Sequence, residues 1–196
     1  TNTDVFLVPT DGVGKPVALT GANLAYDFAP TYSPDGKSIA VLAMARAGYE
    51  ADRQRIVIYD AATKKPRTVT EAWDRSPGSL AWSRDGKTLF TSADNLGNHS
   101  LFAVDAGTGK VTTLVDKGTN AGPVVAGDRV VFLRDTLKAP AELFTVAATG
   151  GTPTAITHFN DARVAKIAWG DYEQFTFKGA KGDTVYAYLV KPAGFD

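Results

Sequence analysis

The sequence contains no cysteine and only two histidines, His99 and His158, among its 196 residues. The lack of cysteine excludes disulfides and thiolate metal sites, and two histidines are too few for a histidine-built metal cage. Apolar runs of membrane-spanning length are also missing, so no membrane span is predicted. The 21 basic and 21 acidic residues balance, which gives no electrostatic reason to expect a nucleic acid as the partner.

The composition is that of a folded, strand-rich protein. Hydrophobic residues make up 44% and charged residues 21% of the chain, values that exclude disorder. The 19 glycines, 10 prolines and 10% aromatic residues indicate turns and strands rather than a helical bundle.

Two sequence patterns recur along the chain with a similar period. The motif aromatic-Ser-x-Asp-Gly-Lys begins at Tyr32 and again at Trp82, and a weaker copy, Gly-Asp-Arg, occupies positions 127–129. Asp-Gly between apolar runs is typical of a tight hairpin turn. A second pattern is a short strand, a polar turn and a second strand, and its strand ends recur every 42 to 50 residues, at Leu19, Val69, Leu114 and Ile156.

A period of this length with about four short strands in each repeat is typical of a β-propeller blade. The sequence therefore predicts an all-β fold, a partial β-propeller of roughly four TolB/WD40-like blades over residues 1–170, with the first blade incomplete. Residues 171–196 are expected to form a transition hairpin and linker towards a further domain. An open half-ring exposes apolar blade faces, so we expect it to need further blades, a partner copy in a homodimer or the rest of a longer parent protein.

The repeats resemble those shared by TolB-type propellers and the prolyl oligopeptidase family of serine peptidases. Two further segments, residues 44–53 followed by Trp-Asp-Arg-Ser at 73–76, are similar to the dipeptidyl-peptidase 5 and acylaminoacyl-peptidase branch of that family. The tail, Phe-x-Phe-x-Gly-x-x-Gly from Phe175 and then residues 185–196, resembles the segment that leads into the family's α/β-hydrolase domain.

The resemblance implies a secreted or periplasmic serine peptidase that removes dipeptides or blocked residues from short peptides. Its catalytic triad would lie in an α/β-hydrolase domain beyond Asp196, and the propeller would restrict access by large substrates. No Gly-x-Ser-x-Gly motif occurs in this sequence, so no catalytic residue is assigned and the chain alone is not expected to hydrolyse peptides. His99 and Ser100 are interpreted as chain neighbours, with His99 a solvated turn residue, because a triad needs positioned side chains and an oxyanion hole.

Five residues of one long loop are candidates for substrate binding: Arg46, Tyr49, Glu50, Asp52 and Arg53. Related peptidases that act from a free amino terminus often hold the substrate ammonium with propeller carboxylates, and Glu50 is the candidate here, with Asp52 as the alternative. Tyr49 would stack on the substrate or donate its hydroxyl, while Arg46 and Arg53 would orient the carboxylate or hold a peptide carbonyl. Alternatively, the charged members form a salt-bridge network that orders the loop, and both interpretations can hold together.

Other motifs are interpreted as structural. Trp73 is expected to cap a blade, and Asp74 and Arg75 to form an ion pair that ties adjacent blades together. Asp35 and Asp85 are interpreted as turn residues rather than calcium ligands, because they lie on separate blades and the sialidase-box spacing is not kept. No metal or other cofactor is predicted. The rival hypothesis for the chain as a whole is a non-enzymatic TolB-like propeller that binds a protein or peptide.

Overall fold

The chain forms four successive antiparallel sheets and a final β-hairpin in a computed structural model that describes residues 2–195. The first sheet has two short strands, β1 (Phe6–Leu7) and β2 (Val17–Ala18). The second sheet has four strands in chain order, β3 (Asp27–Tyr32), β4 (Ser38–Ala43), β5 (Arg55–Asp60) and β6 (Pro66–Thr68).

The third and fourth sheets repeat this four-stranded pattern. The third contains β7 (Ala81–Trp82), β8 (Thr88–Asn95), β9 (Asn98–Asp105) and β10 (Val111–Val115). The fourth contains β11 (Thr119–Ala126), β12 (Arg129–Thr136), β13 (Ala139–Ala147) and β14 (Thr154–Ala155). A short parallel pairing of β11 with β9, at Thr119 opposite His99, joins the two sheets. The predicted all-β fold class is confirmed.

The repeated Asp-Gly motif forms the same turn in the second and third sheets. The Asp35 carboxylate accepts hydrogen bonds from the Ser33 hydroxyl at 2.7 Å and from the Lys37 amide at 3.1 Å. Asp85 makes the matching two bonds at 2.6 and 3.1 Å. These bonds lower the pKa of both carboxyl groups, because they favour the ionised form. The structure therefore gives both aspartates the turn role inferred from sequence.

Hydrophobic cores lie between successive sheets. Because side chains alternate between the two faces of a strand, Ile39 and Val41 of β4 pack towards the first sheet, while Ala40 and Leu42 pack towards the third. All four are fully buried. Burial on both faces explains why β4 is a continuous apolar run.

A third core joins the third and fourth sheets and consists of Phe90, Leu101, Leu114, Val115, Val130, Phe132 and Val146. The opposite face of the fourth sheet is open, since Leu133 and Leu143 are exposed there. Polar bonds add to the packing elsewhere: the Trp82 indole donates to the Thr31 carbonyl at 3.2 Å, from the third sheet to the second.

The C-terminal part begins with a single helical turn, α1 (Asp161–Val164), and continues into a hairpin of β15 (Tyr172–Lys178) and β16 (Thr184–Val190). A 3-10 turn at Ala180–Gly182 lies in the loop between these strands. The hairpin was expected from sequence, whereas the helical turn was not. No helix in the described part of the chain has the length and hydropathy needed to cross a bilayer.

Candidate functional site

The long loop between β4 and β5 carries all five predicted binding residues, and Asp52 organises it. The Asp52 carboxylate accepts hydrogen bonds from the backbone amides of Ala45, at 2.7 Å, and Arg46, at 2.8 Å. These amide bonds, that of Ala45 foremost, lower the Asp52 pKa because they stabilise the carboxylate. Asp52 thus holds the two ends of the loop together.

Arg53 fixes the same loop to the segment that leaves the second sheet. Its guanidinium donates to the carbonyl oxygens of Thr70, at 3.0 Å, and Glu71, at 3.0 Å, and also to that of Trp73. A planar guanidinium with five donors is suited to gathering several carbonyls at one point. Arg53 therefore has a structural role in this arrangement.

The other three predicted residues, Arg46, Tyr49 and Glu50, line a small pocket of about 290 Å³ with Tyr26 and Met44. The Arg46 guanidinium carbon lies 4.1 Å from the centre of the Tyr49 ring, a cation–π contact. The Glu50 side chain has no hydrogen-bond or ion-pair partner within residues 2–195. The pocket therefore presents a carboxylate and two tyrosine rings, of which the Tyr49 ring already holds the Arg46 guanidinium. The unpaired carboxylate is the group suited to an ammonium.

The expected salt-bridge network among the charged loop residues does not form. Arg53 instead has its one carboxylate contact with Glu71, at 3.8 Å. The loop is ordered mainly by bonds from side chains to the backbone, which leaves Glu50 free of internal pairing in the described structure. The five residues thus divide into a pocket-lining group and a loop-ordering group.

Trp73 and Arg75 connect neighbouring sheets. The Trp73 ring packs edge-on against Phe102 of β9, with 5.0 Å between ring centres. Arg75 donates to the Asn95 side chain at 3.2 Å, at the turn between β8 and β9, and pairs with Asp74 at 2.7 Å. These contacts agree with the structural interpretation of this segment. The bond between sheets, however, joins Arg75 to Asn95, whereas the Asp74–Arg75 ion pair lies within the segment.

A second, larger cleft of about 1130 Å³ lies between the β8–β9 turn, the β12–β13 turn and the C-terminal hairpin. Three contacts hold the hairpin over these turns. The Gln174 side chain donates to the Leu96 carbonyl, the Tyr188 hydroxyl donates to the Asn98 side chain at 3.3 Å, and Lys138 pairs with Asp171 at 3.1 Å. No motif in the sequence indicated this cleft.

His99 lies at the edge of the larger cleft. It belongs to strand β9 and is not the solvated turn residue expected from sequence: its Nδ1 atom lies 2.8 Å from the Asp94 carboxylate, and its side chain is only 29% exposed. The neighbouring Ser100 hydroxyl donates to the Asp116 carbonyl at 2.7 Å and is buried. These separate contacts agree with two chain neighbours that do not act as a catalytic pair.

No group of three or more histidine, aspartate or glutamate side chains that could hold a metal ion occurs among residues 2–195.

No protein-family model matches the chain. Its whole length is 32% identical to part of dipeptidyl-peptidase 5 from Trichophyton equinum and 30% identical to part of the same enzyme from Arthroderma otae. The chain spans 29% of the length of these curated relatives.

Solved structures show the same fold. An acylaminoacyl peptidase from Pyrococcus horikoshii superposes with a TM-score of 0.75 over 96% of this chain and 28% of that one, at 20% identity. The β-propeller domain of the trilobed protease from Pyrococcus furiosus gives 0.62 over 84% of this chain and 46% of that one, at 22% identity. TolB from Acinetobacter baumannii gives 0.57 over 92% of this chain and 44% of that one, at 17% identity.

The chain is accordingly a partial β-propeller, as the sequence repeats predicted. The predicted resemblance to the dipeptidyl-peptidase 5 and acylaminoacyl-peptidase branch of the prolyl oligopeptidase family is likewise confirmed.

Proposed function

We propose that this chain is the non-catalytic propeller portion of a serine exopeptidase. In this role the propeller admits short peptides and holds them for cleavage by an α/β-hydrolase domain. The relatives named dipeptidyl-peptidase 5 support the class of reaction. The observation that carries the proposal is the unpaired Glu50 carboxylate in an open pocket beside Tyr49. A free peptide amino terminus is an ammonium, which an unpaired carboxylate binds through charge-assisted hydrogen bonds.

The partner in this proposal is a hydrolase domain of the same polypeptide, and the C-terminal hairpin supports it. The register of β15 and β16 places Phe175, Phe177, Val185 and Leu189 on one face. All four side chains are exposed. An exposed face of this kind favours a covering domain, because apolar patches are normally buried in folded proteins.

The test is the substitution Glu50→Gln in the full-length protein that carries this chain. Loss of the charge should raise KM about tenfold for dipeptide substrates with a free amino terminus. KM for the same substrates with an acetylated amino terminus should not change, since these lack the ammonium. Asp128→Asn is the matched control. Asp128 is an exposed carboxylate in the turn between β11 and β12, far from the Glu50 pocket in the β4–β5 loop.

Equal KM values for Glu50→Gln and the unsubstituted protein, with folding intact, would remove Glu50 from the substrate site. The rival function is a non-enzymatic binding module, which the similarity to the TolB fold favours. A full-length protein without peptidase activity, and without a Gly-x-Ser-x-Gly motif, would support that alternative.

A further inference from the structure

Arg134 is a cation without an internal partner at the wall of the larger cleft. It lies near the end of β12 and lines the cleft. Its Nε atom is buried and makes no hydrogen bond, and its guanidinium forms no ion pair within residues 2–195. The guanidinium carbon stands 5.3 Å from the centre of the Phe144 ring. The terminal guanidinium nitrogens of this half-buried side chain also have no hydrogen-bond partner in the described structure, and they can bind an external acceptor.

The acidic residues around the cleft do not neutralise Arg134. Asp94 shares a hydrogen bond with His99 at 2.8 Å, and Asp171 forms an ion pair with Lys138 at 3.1 Å. Asp135 makes no ion pair with Arg134 in the described structure. Glu142, which lies opposite Arg134 on β13, is bound by Thr157 and Asn160.

The charged side chains that line the cleft are suited to the carboxylate end of a peptide. Three cationic side chains line the cleft, Arg75, Lys117 and Arg134, against the two carboxylates of Asp94 and Asp135. Of these cations, Arg75 is paired with Asp74 and Lys117 lies 3.6 Å from Asp116. Arg134 is therefore the free cation among them in the described structure.

The hairpin supplies the opposite wall with three tyrosines, Tyr172, Tyr186 and Tyr188. Gln174 pairs with Tyr188 and Thr176 with Tyr186, so these four residues share one face of the hairpin. Gln174 and Tyr188 contact the β8–β9 turn, which shows that this polar face is turned to the cleft. Tyrosine rings offer apolar contact area and hydroxyl donors, both of which a bound peptide can use.

We propose that this cleft binds the carboxylate terminus of a short peptide and that Arg134 is the residue that anchors it. The proposal rests on the peptide-holding function above and adds a second, carboxylate-specific contact to it. A guanidinium matches a carboxylate with two parallel hydrogen bonds, which gives both strength and orientation. Arg134 lies on the fourth sheet and Glu50 in the β4–β5 loop of the second, so the two peptide ends are recognised by separate parts of the chain.

The experiment uses the full-length protein and pairs of peptides of identical sequence and free amino terminus, one with a free carboxylate and one amidated. The carboxylate form should have a KM about tenfold lower than the amide, with similar kcat. Arg134→Met should bring the two KM values together by raising that of the free acid alone. Arg129→Met is the matched control, since Arg129 lies on the same strand, about 17 Å away, and should keep the ratio.

Equal KM values for the acid and the amide in the unsubstituted protein would overturn the proposal, whatever the variants do. An unchanged ratio in folded Arg134→Met protein would also overturn it. If the full-length protein cleaves neither peptide, the proposed function fails. The same acid and amide pair is then measured by titration calorimetry, where preference for the acid that is lost in Arg134→Met still supports the carboxylate site, and equal affinities contradict it.

Discussion

The α-carbon of Gly109, in the turn between β9 and β10, faces the carbonyl oxygen of Val69 at the end of the preceding sheet. A Cβ atom at Gly109 would lie 2.1 Å from that oxygen, closer than any non-bonded contact allows. The neighbouring Arg67 guanidinium adds a 2.7 Å bond to the Ala106 carbonyl. The outer edges of the second and third sheets are therefore held together by backbone contact as well as by the core between them.

We expect Gly109→Ala to destabilise the chain strongly. The new methyl group must displace the Val69 backbone, and the positive φ of +75° adds strain, so the free energy of unfolding should fall by about 3 kcal/mol. Gly127→Ala is the control, because its φ is +69° but nothing lies within 4 Å of the new Cβ. It should cost about 1 kcal/mol. Denaturant unfolding measures the free energy of unfolding of both variants. Equal losses of stability would show that the close contact with Val69 adds nothing to the cost at Gly109.

Asp52→Ala should loosen the β4–β5 loop. Loss of the two bonds to the Ala45 and Arg46 amides should cost about 1 to 2 kcal/mol, and exchange of these two amide hydrogens should become faster. Asp52→Asn keeps one acceptor oxygen and should have a smaller effect. Hydrogen exchange measured by NMR gives the result residue by residue. Unchanged protection of both amides in Asp52→Ala would contradict the assigned role.

Acid should remove the stabilisation provided by the two Asp-Gly turns. Hydrogen bonds from Ser33 and Ser83, the largest cause, lower the pKa of Asp35 and Asp85 below the usual 3.8 in the folded chain. A carboxyl group with a lowered folded pKa contributes stability above its unfolded pKa, and that contribution is lost as pH falls through the folded value.

The measurement compares the unsubstituted chain with the Ser33→Ala, Ser83→Ala double variant, using NMR titration of Asp35 and Asp85 and denaturant unfolding at about pH 6 and about pH 3. Both carboxyl pKa values should rise towards 3.8 in the variant. Its loss of stability between the two pH values should be smaller than that of the unsubstituted chain. An equal loss would mean that other carboxylates dominate the acid response.

Sequence predicted the features that depend on local chemistry. The Asp-Gly turns follow from glycine and aspartate at fixed positions, and the repeat period then gives the sheets. The two clefts depend on contacts between distant segments, such as Gln174 with Leu96, which no local pattern encodes. Arg134 occupies an ordinary inward position of a strand, and only its place in the cleft wall without an ion pair in the described structure distinguishes it. In the β4–β5 loop, Asp52 orders the loop and Glu50 lines the pocket. This difference depends on the positions of the Ala45 and Arg46 amides, which cannot be predicted from sequence.

The neighbours Phe132 and Leu133 test the assignment of faces in the fourth sheet. Phe132 is 1% exposed in the core shared with the third sheet, whereas Leu133 is 47% exposed on the opposite face. Phe132→Ala should cost about 3 to 5 kcal/mol, because it removes buried surface and leaves a cavity. Leu133→Ala should cost less than about 1 kcal/mol, because the Leu133 side chain is already exposed to water and little buried surface is lost. Denaturant unfolding of the two variants measures the difference. Because adjacent strand residues point to opposite faces, a shift of register by one residue would reverse the order of the two losses, so a larger loss for Leu133→Ala would contradict the pairing of β12 with β11 and β13.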